Sequence, residues 1–82
     1  MPHPGHKLNV CGQNIKRIRL SRNPVLTQEQ LATDLQVLGW DIDRFGISKI
    51  ERGQRQVTDI ELLHFTKVLG VSPSELLDDA HR

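Results

Sequence analysis

Arg44, Phe45, Ser48 and Lys49 lie in one short stretch, Asp43-Arg44-Phe45-Gly46-Ile47-Ser48-Lys49-Ile50-Glu51-Arg52-Gly53. At helical spacing Ile47 and Ile50 share a face, which turns Ser48, Lys49 and Arg52 outward. An outward face of this kind offers a planar guanidinium, a compact ammonium and a hydroxyl. Those groups match the acceptor-rich edges of bases in a DNA major groove, where Arg44 near the helix start would pair with guanine O6 and N7. Lys49 would do so with less directional preference, or remain a solvated side chain. Phe45 has two readings: it touches a thymine methyl, or it turns inward onto the core.

Little else in the chain is chemically active. No nucleophile–base–orienter set and no phosphate-cradling glycine loop is present, so the chain reads as a non-enzyme. Cys11 is the single cysteine, which excludes an internal disulfide and a thiolate-based structural zinc site. His3 and His6 lack carboxylate or thiolate neighbours at ligand spacing and read as incidental residues of a tail; His64 reads as a surface residue. No metal or cofactor is expected. The longest apolar run is too short to span a bilayer, and no secretory segment follows the first residue. A reducing cytoplasm suits such a chain.

The residues that would position the outward face are well punctuated. The chain's 82 residues suffice for one modest core. Its three aromatics, Trp40, Phe45 and Phe65, favour helices packed through Leu and Ile over an aromatic-rich sandwich. Residues 1–11, with two prolines and a glycine, read as a flexible arm. Gly12 to Arg22 places Ile15, Ile18 and Leu20 among basic residues as a first amphipathic helix, ended by Asn23-Pro24. Thr27 begins a second as a capping box, accepting from the Gln30 amide while the Gln30 side chain reaches back. That helix would bury Leu31, Ala32, Leu35 and Leu38 before Gly39. Asp43 caps the third, which stops at Gly53.

Thr58-Asp59-Ile60-Glu61 is a further capping box, opening a fourth helix that would bury Leu62, Leu63, Phe65, Thr66 and Leu69. Ser72-Pro73-Ser74-Glu75 opens a short fifth with Leu76 and Leu77. The domain is expected over residues 12–78, with 79–82 a tail. The formal charge of +1 divides unevenly along this order. Residues 1–56 hold nine Lys/Arg against five acids, and residues 57–82 two against five, giving +4 and −3. That division marks either an electrostatic front and back or an ordinary solvated surface.

Three segments in order, Leu26-Thr27-Gln28-Glu29-Gln30-Leu31-Ala32, then Ile47 to Gly53, then Leu69-Gly70-Val71-Ser72 with Glu75-Leu76-Leu77, resemble the phage-repressor and Cro-type helix-turn-helix proteins, the XRE group. The resemblance covers roughly residues 13–77. It implies an all-α, five-helix lambda-repressor-like DNA-binding domain whose third helix enters the major groove. It implies a phosphate contact from Gln28 and a DNA-backbone role for Gln54 to Thr58. It also implies an ion pair between Arg19 and Glu51, so that Arg19 is not a DNA ligand. Backbone candidates are therefore Gln28, Gln54, Arg55 and Thr58, with Arg17 and Arg22 weaker; base-reading candidates are Arg44, Phe45, Ser48 and Lys49. Arg52 reads as a helix-end cation.

The chain departs from that pattern between Leu35 and Asp43, where Gln36-Val37-Leu38-Gly39-Trp40-Asp41-Ile42 lengthens the turn. Ile42 would take the small apolar position before the cap. Trp40 would either pack over the junction or contact a protein partner or the DNA backbone. A single module buries limited surface on DNA, so a homodimer on a palindromic site is expected. The function implied is sequence-specific binding of double-stranded DNA as a transcriptional regulator, with repression the expected outcome. The alternative is a protein-interaction adaptor or antitoxin-like partner on the same fold; steep salt dependence of duplex binding separates the two.

Overall fold

A computed structural model describes residues 7–79, so His3 and His6 lie outside the described residues. Five helices and no strand are present among the described residues: α1 Cys11–Ser21, α2 Gln28–Val37, α3 Arg44–Glu51, α4 Asp59–Leu69 and α5 Pro73–Leu77. Four of the five starts have a side-chain cap. Thr27, Asp43, Thr58 and Ser72 are extended residues whose side chains accept from an amide three positions on. The boxes at Thr58 and Ser72 are closed by Glu61 and Glu75. The box at Thr27 is half made, because the Gln30 side chain turns forward, its Nε2 donating to Asp34 Oδ1 at 2.9 Å, instead of reaching back.

One core joins the helices, built from Cys11, Ile15, Ile18, Leu31, Ala32, Leu35, Ile42, Ile47, Ile50, Phe65, Leu69 and Leu76. Several expected core residues lie outside it. Leu38 and Leu63 are 39% and 51% exposed, and Leu20 and Leu77 are exposed as well. Periodicity identifies a helix face but not how wide a strip its neighbours cover; these four fall at the edges of their strips. Ile42 is buried before the α3 cap as expected.

Helix α1 is the platform for α3. An ideal Cβ at Gly12 would sit 2.0 Å from the Ile50 carbonyl oxygen, so the two helices approach only because that position lacks a side chain. Farther along, Arg19 donates from Nε to Glu51 Oε2 at 2.8 Å and from Nη2 to Oε1 at 3.0 Å. Its Nη1 donates to the Leu26 carbonyl at 3.1 Å, which ties the α1–α2 connection into the same pair. Asn14, fully buried, donates to the Leu76 and Asp78 carbonyls and fastens α5 to α1.

Residues 7–11 of the expected arm are not free. Cys11 already opens α1, and Lys7 to Asn9 lie hydrogen-bonded on the exit of α3. The bonds go to backbone carbonyls more than forty positions away, a pairing that no local signal announces.

Candidate nucleic-acid interface

Helix α3 presents two contrasting faces. Ile47 and Ile50 are fully buried, while Arg44, Phe45 and Lys49 are exposed and Ser48 is half-buried. Phe45, 63% exposed, takes the outward of its two readings. The Arg44 guanidinium stands 4.9 Å from the Phe45 ring centroid, a cation–π contact that orders both side chains on the open face. Asp43 Oδ1 accepts from the Gly46 amide at 2.9 Å and fixes the start of the helix from which they project. Gly46 itself is turned inward: a Cβ there would meet Ile42 Cγ1 at 2.7 Å, so its missing side chain makes room for the core, not for DNA.

Gln28 is half-buried at the start of α2. Its Nε2 donates to Glu51 Oε1 at 2.9 Å, so the Glu51 carboxylate accepts from both Gln28 and Arg19. The Glu51 side chain is 2% exposed and the Arg19 side chain 9%, which makes the pair a structural one. Arg19 is accordingly committed to the protein's own carboxylate, as the resemblance implied. Gln28, Thr27 and Arg44 border one shallow depression between the starts of α2 and α3, so a backbone candidate and a base-reading candidate adjoin.

The turn between α3 and α4 carries the other backbone candidates. Gln54 and Thr58 are exposed, whereas Arg55 is half-buried. Arg55 Nη2 donates to Glu61 Oε2 at 3.0 Å, and its guanidinium lies 6.0 Å from the Trp40 ring. That charge is thus engaged with Glu61 before any phosphate arrives. Burial opposes ionisation of Glu61, but the Thr58 amide and the Arg55 guanidinium outweigh it and hold the carboxyl below its usual range. The first turn of α4 therefore carries Asp59 and an ionised Glu61. Both weaken the attraction of that helix start for an anion, and the Thr58 amide is already spent on Glu61, which leaves the Thr58 hydroxyl as the group that can donate.

The two weaker basic candidates face elsewhere. Arg22 donates to the Leu69 carbonyl at the end of α4. Arg17 borders a depression shared with Val71, Glu75 and Asp78. Arg52 Nε donates to the Ser48 carbonyl one turn back, as a helix-end cation does.

Trp40 packs inward rather than standing free. Its ring meets Phe65 edge-on at 5.3 Å and lies 5.9 Å from His64, so His64 is part of the packing and not simply surface. What the longer turn leaves exposed is Val37 and Leu38.

The structure also brings in residues that the motif reading passed over. Lys7 Nζ donates to the Arg52 carbonyl at 2.9 Å, and the Leu8 amide to the Gly53 carbonyl at 2.9 Å. Asn9 Nδ2 donates to the carbonyls of Ile50 (3.1 Å) and Arg55 (2.8 Å), while its Oδ1 accepts from the Gly12 amide at 2.7 Å. One signal was available: Asn9 is a capping residue type three positions before Gly12. Cys11 is buried, and burial pushes its thiol up to about 11, which leaves it unreactive near neutrality. Among the described residues no group of three or more His, Cys, Asp or Glu is placed to hold a metal, and no helix is long and apolar enough to cross a membrane.

A helix-turn-helix family model matches residues 15–76. The control protein C.BamHI of Bacillus amyloliquefaciens is 42% identical over 69 residues, which span 84% of this chain and 78% of that protein. The crystal structure of the restriction-modification controller protein C.AhdI from Aeromonas hydrophila superposes with a TM-score of 0.67 at 32% identity, over 84% of this chain and 94% of that one.

Proposed function

This chain belongs to the helix-turn-helix family and is a DNA-binding transcription regulator, and from that premise we propose that α3 reads a duplex site controlling restriction–modification genes. The observation that carries the reading is the open face of α3, with Arg44, Phe45, Ser48 and Lys49 held outward by the burial of Ile47 and Ile50. Arg44 and Lys49 supply donors to guanine, Ser48 a hydroxyl, and the Phe45 edge an apolar contact to a thymine methyl.

Gln28, Gln54 and Thr58 meet the DNA backbone, with Arg55 contributing field while paired to Glu61. These contacts fix the register of α3 and carry no base information themselves. Two copies bind a twofold-symmetric site, with half-sites about 34 Å apart. The protein acts in the cytoplasm without catalysis or cofactor, and occupancy of the site represses the promoter it overlaps.

Selection of bound sequences from a random duplex pool tests the reading. The expected product is a palindromic site. With Arg44→Ala and Lys49→Ala combined, preference for that site over random duplex is lost while the circular-dichroism spectrum stays helical. Unaltered discrimination by that variant would exclude α3 as the reader. A promoter-reporter assay tests repression separately.

A further inference from the structure

The last carbonyls of a helix have no partner within it, and a loop that follows them is free to move unless something else donates to them. Here the amides of Arg52, Gln54 and Gly53 meet the carbonyls of Ser48, Lys49 and Ile50, and further donors come from the other end of the chain. Residues 7–9 supply donors to four carbonyls at the exit of α3, those of Ile50, Arg52, Gly53 and Arg55. Asn9 does most of this: one carboxamide nitrogen bridges Ile50, inside the helix, and Arg55, inside the turn. Its oxygen meanwhile accepts from Gly12 at the first turn of α1. The backbone of the turn is thereby referenced to α1, the platform against which α3 itself is packed.

The conformation of the turn is matched to this contact. Gly53 adopts φ +71, and a Cβ there would lie 2.4 Å from Lys7 Cδ, so its lack of a side chain admits the arm as well as the left-handed bend. On the opposite side the turn is closed by Arg55 on Glu61. Between the two fixings lie Gln54 and Thr58, both exposed.

Resting on the DNA-binding reading above, we propose that Asn9 is a positioning residue for DNA binding: it touches no DNA, but it sets the Arg52–Thr58 turn so that Gln54 and Thr58 reach the duplex backbone. Backbone contacts are indifferent to sequence, so Asn9 governs affinity and leaves base discrimination to α3.

The test is Asn9→Ser. Serine caps a helix as well as asparagine does, which retains the bond to Gly12, but it is too short to reach Ile50 and Arg55. Binding is measured to the selected site and to a duplex of random sequence, across a salt series, alone and in a Gln54→Ala/Thr58→Ala background. The expected result is an affinity about tenfold weaker for both duplexes, about the worth of one hydrogen bond to a charged phosphate. The slope against salt stays the same, because Asn9, Gln54 and Thr58 carry no charge to release counterions. In the Gln54→Ala/Thr58→Ala background the same substitution has almost no further effect, because the contacts it positions are already gone.

An equal loss in both backgrounds overturns the proposal, since it would reflect general destabilisation. So does wild-type affinity in Asn9→Ser, and so does a flattened salt slope, which would mean displaced cations. If Asn9→Ser loses its helical spectrum, Leu8→Pro, which removes the amide that donates to Gly53, is read in the same cycle by the same criteria. Failure of the wild-type protein to bind either duplex with steep salt dependence rejects the DNA-binding reading itself, a result distinct from all of these.

Discussion

The two ends of α3 are held by different means. At its amino end the restraints are local in sequence: Asp43 caps the Gly46 amide, and Ile42 is buried one position before it. At its carboxyl end remote restraints are added to the local amides of Arg52, Gly53 and Gln54: Lys7 and Asn9 bind carbonyls 41 to 46 positions away. The amino end bears Arg44 and Phe45, the base-reading candidates; the carboxyl end leads into Gln54 and Thr58, the backbone candidates. A base-reading side chain must be aimed from a rigid helix start, which a cap and a buried neighbour provide at short range. The turn has only the partly buried Val57 as an apolar anchor of its own, and its carbonyls borrow donors from elsewhere in the fold.

Glu51, the last residue of α3, is held by both Arg19 and Gln28, and removing its charged partner should have the largest effect. Arg19→Ala leaves a buried carboxylate facing only Gln28 and should cost about 3–5 kcal/mol in chemical denaturation. A cost below ~1 kcal/mol would show that the pair is not shielded as its geometry indicates. Next comes the apolar anchor of the amino end: Ile42→Ala should destabilise by about 2–4 kcal/mol, measured the same way.

Arg44→Ala alone should spare stability and reduce discrimination at a single base position by about 1–3 kcal/mol, read from binding to singly substituted sites. A uniform loss across sequences would instead place Arg44 on phosphate. Asp43→Ala removes the cap at the same end and should cost about 1 kcal/mol by thermal melting.

The smallest effect concerns the far side of the turn. Because the folded protein holds Glu61 below its usual value of 4.5, its contribution is present above that pH and is lost as pH falls through the lowered value. Glu61→Gln should remove this part of the acid dependence while leaving the rest of the melting profile in place. An unchanged profile would break the link between Glu61 and Arg55.

Capping shows how far the chain was legible. Thr58 with Glu61 and Ser72 with Glu75 form the boxes expected from their spacing, because donor and acceptor lie within one turn. At Thr27 only half of what the same pattern predicts occurs, since the Gln30 side chain has a competing partner in Asp34 on its own helix. The outward set on α3 follows from the period of Ile47 and Ile50, whereas Arg55, chosen for its charge, is engaged by Glu61. Trp40 carried two readings because its surroundings are Phe65 and His64, more than twenty positions away.

Local order in this protein was therefore written in the residue string: where each helix begins, which face of α3 is apolar, and which side chains project from it. Those features depend on interactions across three or four positions, and short-range geometry allows few alternatives. Only the assembled fold decided that Leu38 and Leu63 stay exposed, that Gly12 lets α1 meet α3, and that Asn9 fastens the turn. Each of these requires surfaces distant along the chain to meet, and the backbone carbonyls that Asn9 seeks are identical at every position until packing selects among them.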